Sequence, residues 1–140
     1  MTRAFLNLMY KNKKEEKRGL SHYHSGDQYP IGLKRHYNLF SFLDEGIKQK
    51  GLTPEMFKNW VKKEYKRVAR PLKVGEKPMI YETENNMTDY SYVFEAENVL
   101  AYSWDKLVFD GNLKKFKAWV NKIERREALG IYDKLPSVNN

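Results

Sequence analysis

Apolar positions along this chain change their spacing three times, and each change marks a different kind of element. Arg3 to Tyr10 is a short, well-bounded apolar run that predicts an opening strand. The charged stretch Lys11 to Arg18 then predicts a hairpin loop, and Leu20 to His24 a returning strand. Ser25-Gly26-Asp27-Gln28 has strong turn chemistry. From Tyr29-Pro30 onward Leu33, Tyr37, Phe40, Leu43 and Ile47 recur at helical spacing, with Gly46 as the predicted stop. A second helix opens with Thr53 as cap and Pro54 at the first helical position, with Leu52 placed to staple onto Phe57. Its inner sector holds Phe57, Trp60, Val61, Tyr65 and Val68.

From Met79 the spacing becomes period two. Strands are predicted at Met79 to Thr83, Tyr90 to Ala96, Val99 to Trp104 and Leu107 to Phe109, with a turn at Glu97-Asn98. Asp110-Gly111-Asn112 ends this meander and caps a third helix, whose stripe is Leu113, Phe116, Trp119, Val120 and Ile123, closed by Gly130. The sum is an α+β fold: a single domain over residues 1–130, with an antiparallel sheet of five or six strands covered by three helices. Residues 131–140 are expected to fray.

Composition narrows this little. The chain has 140 residues, 41% hydrophobic and 14% aromatic, which suits one folded domain. It has no cysteine, which removes disulfides, thiolate metal sites and a cysteine nucleophile, and fits a cytoplasmic location. No apolar run reaches the ~20 residues that a membrane helix needs, so no membrane partner is expected.

Charge is more informative, because the formal +8 is unevenly spread. Lys11 to Arg18 carries +3, Pro54 to Arg70 +4 and Asn112 to Leu129 +4, whereas Glu76 to Asp110 carries −6. The outer faces of two predicted helices become basic stripes. One is Lys58, Lys62, Lys63, Lys66, Arg67 and Arg70; the other is Lys114, Lys115, Lys122, Arg125 and Arg126. Such stripes suit phosphate contacts, and they also suit solubility or an acidic protein partner.

All three histidines fall within fifteen residues. His22 and His24 share a strand face, Asp27 follows in the turn, and His36 falls on the apolar side of the first helix between Leu43 and Phe40. With Tyr29 these residues form a candidate ligand turn, for which a buried, hydrogen-bonded His36 is the plain alternative. The carboxylate pairs Glu82/Glu84 and Glu95/Glu97 suit charged strand edges better than acid–base work. No nucleophile elbow, phosphate loop or zinc-protease pattern is present, so neither a catalytic residue nor a cofactor or metal is assigned, and an enzyme is the less favoured class.

The run His24-Ser25-Gly26-Asp27-Gln28-Tyr29-Pro30-Ile31-Gly32-Leu33, with Thr2-Arg3 at the start, resembles small uncharacterised phage and prophage proteins. Those begin with a Thr-Arg strand and carry a His-x-Asp-Gly-Tyr-Pro motif leading into a helix. Tyr90 to Phe94 and Phe109 to Leu113 are similar to the strand-and-helix ending of such proteins. Here one extra residue separates His24 from Tyr29, and the basic second helix is not part of that pattern. Only His24, Asp27, Tyr29, Pro30 and Gly32 carry over, as a rigid turn feeding a helix. The resemblance implies an accessory protein acting on host machinery or host defence, and it carries no activity.

Three functions remain for the structure to weigh. The first is a phage-type protein that binds an anionic host target, nucleic acid or a nucleoprotein complex, through its basic faces. The second is an inhibitor that contacts a host protein directly, with homo-oligomer formation left open by the unassigned strand edges. The third is a small-ligand-binding protein or metal-assisted hydrolase centred on His22, His24, Asp27 and His36.

Overall fold

A computed structural model describes residues 2–80 and 89–130. The elements in chain order are strands β1 (Thr2–Lys11) and β2 (Lys17–Gly26), helices α1 (Pro30–His36), α2 (Leu39–Lys48) and α3 (Pro54–Tyr65), the short strand β3 (Arg70–Pro71), strands β4 (Tyr90–Glu95), β5 (Asn98–Ser103) and β6 (Lys106–Asn112), and helix α4 (Leu113–Ala128). They form one six-stranded sheet in the order β3-β2-β1-β4-β5-β6. The α+β reading holds, with four helices among the described residues in place of three. The sheet is mixed, because β1 pairs with β4 in parallel while every other neighbour is antiparallel.

Strand β1 occupies the middle of the sheet, which explains its unbroken burial from Ala4 to Met9. Ala4, Leu6 and Leu8 face the helices, together with Tyr90, Tyr92 and Phe94 of β4, and they pack on Leu33, Leu43, Phe57, Trp60, Phe116 and Val120. Asn7, Met9, Ser91 and Val93 point to the opposite face. Residues 72–80 cross that face, where Leu72 and Val93 meet Met9. Asn7 pins this crossing. Its Nδ2 donates to the Met79 carbonyl at 2.7 Å and to the Tyr92 carbonyl at 3.1 Å, and its Oδ1 accepts from the Met79 N–H at 3.0 Å. Ser91 Oγ donates to the Ile80 carbonyl. Met79 and Ile80 are therefore a strap over the sheet and not the start of a strand; the rest of the expected strand to Thr83 lies outside the described residues.

The first predicted helix breaks in two. Asn38 takes a left-handed conformation at φ 53°, which Asn tolerates better than most residues, and so ends α1 and starts α2. The break frees the Tyr37 carbonyl, which accepts the Trp60 indole N–H at 2.7 Å. It also turns α2 so that Leu39, Phe42 and Leu43 are buried while Phe40 and Ile47 are only partly covered. Gly46 is not a stop but an internal contact, since a Cβ there would lie 2.5 Å from Leu52 Cδ2. Helix α3 starts as expected, with Thr53 Oγ1 accepting from the Met56 N–H. It ends three residues early, leaving Val68 exposed and Ala69 and Leu72 buried in its place. The first turn of the meander is Ala96-Glu97, one residue earlier than expected, because Glu95 pairs with Asn98. Asn112 caps α4 by accepting the Lys115 N–H at 2.8 Å. No helix among the described residues is long and apolar enough to cross a membrane.

Candidate functional site

The inner face of β2 changes character along its length. Leu20, His22 and His24 stand opposite Leu8, Leu6 and Ala4 of β1, so all three look toward the helices. Leu20 joins the main core, but the two imidazoles meet a polar and aromatic group. Tyr65, the last residue of α3, has its ring centroid 4.9 Å from that of His22 and 4.6 Å from that of His24. Tyr37, at the break between α1 and α2, stacks on Tyr65 at 4.4 Å and lies edge-on to His24. Burial, with His24 and Arg67 adding to it, lowers the His22 pKa to about 4. Burial and Arg67 also lower that of His24. Both imidazoles are therefore neutral near pH 7.

Gln28 is the fixed point beneath these rings. It is fully buried, its N–H donates to Thr2 Oγ1 at 2.6 Å, and its carbonyl accepts from Tyr92 Oη at 2.8 Å. Its side-chain Oε1 accepts from Tyr65 Oη at 3.2 Å. Only its Nε2 has no partner, and the enclosed Nε2 of His22 has none either. A buried amide that forgoes a hydrogen bond costs roughly 1–3 kcal/mol, so two such atoms in one cluster are unusual.

The expected ligand turn is only half assembled. His22 and His24 come together, but Asp27 does not join them. It faces His36 instead, 3.6 Å away, and both side chains are about half exposed. His36 is thus not buried: the sector expected to carry it inward belongs to one continuous helix, and the break at Asn38 removes that helix. Tyr29 is half exposed and lies edge-on to Tyr90 at 5.2 Å. No group of three His, Cys, Asp or Glu side chains that would hold a metal occurs among the described residues. Gln28, Tyr37 and Tyr65 were missed by the sequence. The two tyrosines sat at core spacing and Gln28 in a turn, and nothing local signals that their polar atoms converge.

The first basic stripe is intact. Lys58, Lys62, Lys63, Lys66, Arg67 and Arg70 are all exposed. Lys58 lies 3.8 Å from Glu55, but among the described residues no carboxylate pairs with Lys62, Lys63, Lys66, Arg67 or Arg70. Lys66 caps α3 in a left-handed conformation, its N–H donating to the Lys62 carbonyl at 3.2 Å, and Arg70 continues the ridge into β3, opposite Ser21. Arg67 also acts electrostatically on both histidines, so the ridge adjoins the ring cluster.

The second stripe is less uniform. Lys114, Lys115 and Arg125 are exposed, whereas Lys122 and Arg126 are only partly so and the Arg126 Nε is enclosed. Glu124 and Glu127, on the same helix, reach Lys34 and Arg35 of α1. The Lys34 hydrogen bond, with Arg35 nearby, holds the Glu124 carboxyl below its usual range. Lys114 borders a depression of about 370 Å³ with Lys50, Glu97 and Ile47. Helices α3 and α4 both pack on α2. Of the carboxylate pairs, Glu95 and Glu97 are exposed at a hairpin and Glu82 and Glu84 lie outside the described residues.

No protein-family model matches the chain, and comparisons with curated proteins and with solved structures found no match.

Proposed function

We propose that the protein is a binding module that lays the α3–β3 ridge against a nucleic-acid strand, bare or within a nucleoprotein complex. One observation carries this: five exposed bases between Lys62 and Arg70 have no carboxylate partner among the described residues. Unneutralised cations of this density release condensed counterions when phosphates replace them, which gives affinity without sequence preference. In the phage setting implied by its N-terminal motif, such a module would occupy host nucleic acid in the bacterial cytoplasm.

The test is fluorescence anisotropy with a labelled oligonucleotide across a salt series. Five contacts to a single strand give a log–log slope near about −3.5, so affinity drops roughly 100-fold between about 50 and about 200 mM salt. Binding that is absent at low salt refutes the proposal. Capture of one host protein that survives both nuclease and high salt would replace it with direct inhibition of that protein.

A further inference from the structure

The face of the sheet turned away from the helices carries an exposed ring beside the end of the basic ridge. Tyr23 of β2 stands opposite Phe5 of β1, and 38% of its surface is open to solvent. Phe5 is buried and its ring centroid lies 5.2 Å from that of Tyr23, so the tyrosine leans on a fixed support. Its same-face neighbours along β2 are Ser21 and Ser25, about 7 Å away at two strand rises. Both are too small to overhang the ring. Strand β3 pairs only with Leu20 and Ser21, so among the described residues no strand flanks Tyr23 on that side.

Two arginines bracket the ring. Ser21 pairs with Arg70 and Ser25 pairs with Arg3, so strand alternation brings both arginines onto the Tyr23 face as its diagonal neighbours, ~7–8 Å away. Both are exposed, and neither guanidinium has a carboxylate partner among the described residues. Asp89 Oδ2 accepts the Arg3 backbone N–H instead, at 2.8 Å. Arg70 is also the last base of the α3–β3 ridge, so the row of cations reaches the sheet edge and continues onto this face.

A ring supported from behind, with a cation on either side, takes a flat base while the adjoining phosphates are neutralised. We propose that Tyr23 is a stacking platform for one unpaired nucleobase, with Arg3 and Arg70 on the phosphates to either side, so that the target of the ridge is a single strand. This rests on the ridge being a nucleic-acid contact and specifies which nucleic acid it takes. A duplex fails on two counts. Its bases are stacked on one another and offer no free face, and with a persistence length of about 50 nm it cannot turn around the sheet edge at β3. A single strand can bend there, passing from Lys62 and Lys66 on α3 by way of Arg70 to Tyr23. Stacking accepts any base, in keeping with a ridge that contacts phosphates alone.

The test compares three labelled ligands by fluorescence anisotropy: a single strand, the same sugar–phosphate backbone with abasic residues, and the duplex of the same sequence. Wild type should bind the single strand roughly tenfold tighter than the abasic one, the contribution of one base on an aromatic ring. Tyr23→Ala should bring the single strand down to the abasic level while leaving the salt slope and the duplex affinity unchanged. Tyr23→Leu should do the same, and it keeps apolar bulk on Phe5 should the alanine loosen the sheet. Tyr23→Phe retains the ring and should bind as wild type does.

That pattern supports the proposal. Single and abasic strands bound alike, or single-strand affinity untouched in Tyr23→Leu, with the salt dependence intact, would overturn the platform and leave the ridge standing. A loss in Tyr23→Leu of equal size on all three ligands would also overturn it, since a ring that only shapes the surface acts on every ligand. No binding to any of the three at low salt would remove the ridge, and the platform with it.

Discussion

His22 gives the most quantitative test of the cluster. An unfolded histidine titrates near about 6.5, whereas burial brings His22 to about 4 in the fold. Between these values the unfolded chain holds a proton that the native protein refuses. Stability is therefore complete above the unfolded pKa, falls as the pH drops below it, and stops falling once the folded pKa is passed. A difference of about 2.5 units corresponds to about 3 kcal/mol at the acid limit, and to about 2 kcal/mol at pH 5. His24 and Glu124 also have lowered values, so acid weakens the fold through them too. The informative quantity is the difference between wild type and His22→Phe, which keeps a ring against Tyr65 and His24 but cannot titrate. Urea unfolding at about pH 7.5 and about pH 5 measures it. The variant should lose about 2 kcal/mol less than wild type between the two conditions. An acid sensitivity equal in both proteins would refute the buried, neutral imidazole and with it the assignment of the cluster.

Two further changes probe what positions the site. Asn7→Ala removes three hydrogen bonds from a buried side chain and should cost about 3 kcal/mol, measured by urea unfolding. Amide exchange at Met79 should rise with it, and a loss below about 1 kcal/mol would mean that the strap over the sheet is held by something else. Gly46→Ala places a methyl 2.5 Å from Leu52 Cδ2 and 3.0 Å from Leu113 Cδ1. Overpacking should outweigh the ~1 kcal/mol helical advantage of alanine, and a raised thermal midpoint would contradict that contact.

The parts of the fold that sequence spacing foretold are those in which one face is buried and the other wet. Helix α4 is such a case, with Leu113, Phe116, Trp119 and Val120 inside and Asn112 capping. The hairpins of β4, β5 and β6 are another. Where both faces are covered the alternation carries less. Ser91 and Val93 are as buried as Tyr92 and Phe94, so nothing in β4 announces the strap that covers it. Strand order is not local either, and the parallel partner of β1 lies more than eighty residues away. The break at Asn38 depends on one backbone conformation within an otherwise continuous helical pattern, and it decides where Tyr37 and His36 point. That is why the histidine pair was foretold on one face of β2 while its partners, Tyr37, Tyr65 and Gln28, were not.

Whether the ridge binds or merely keeps the protein dissolved turns on position, since Pro54 to Arg70 and Asn112 to Leu129 carry equal charge. Two double variants alter net charge identically at different places. Lys62→Glu with Lys66→Glu reverses the α3 ridge, and Lys114→Glu with Lys115→Glu reverses the start of α4. All four side chains are exposed, so each substitution should change stability by no more than roughly 0.5 kcal/mol; glutamates in the first turn of α4 would even favour its helix dipole. If oligonucleotide affinity follows overall charge, both double variants weaken it equally. If phosphates sit on the ridge, the α3 pair alone flattens the salt dependence by about 1.4 in slope on a single strand. Equal slopes in the two variants would remove the ridge as a site and leave its lysines to solubility.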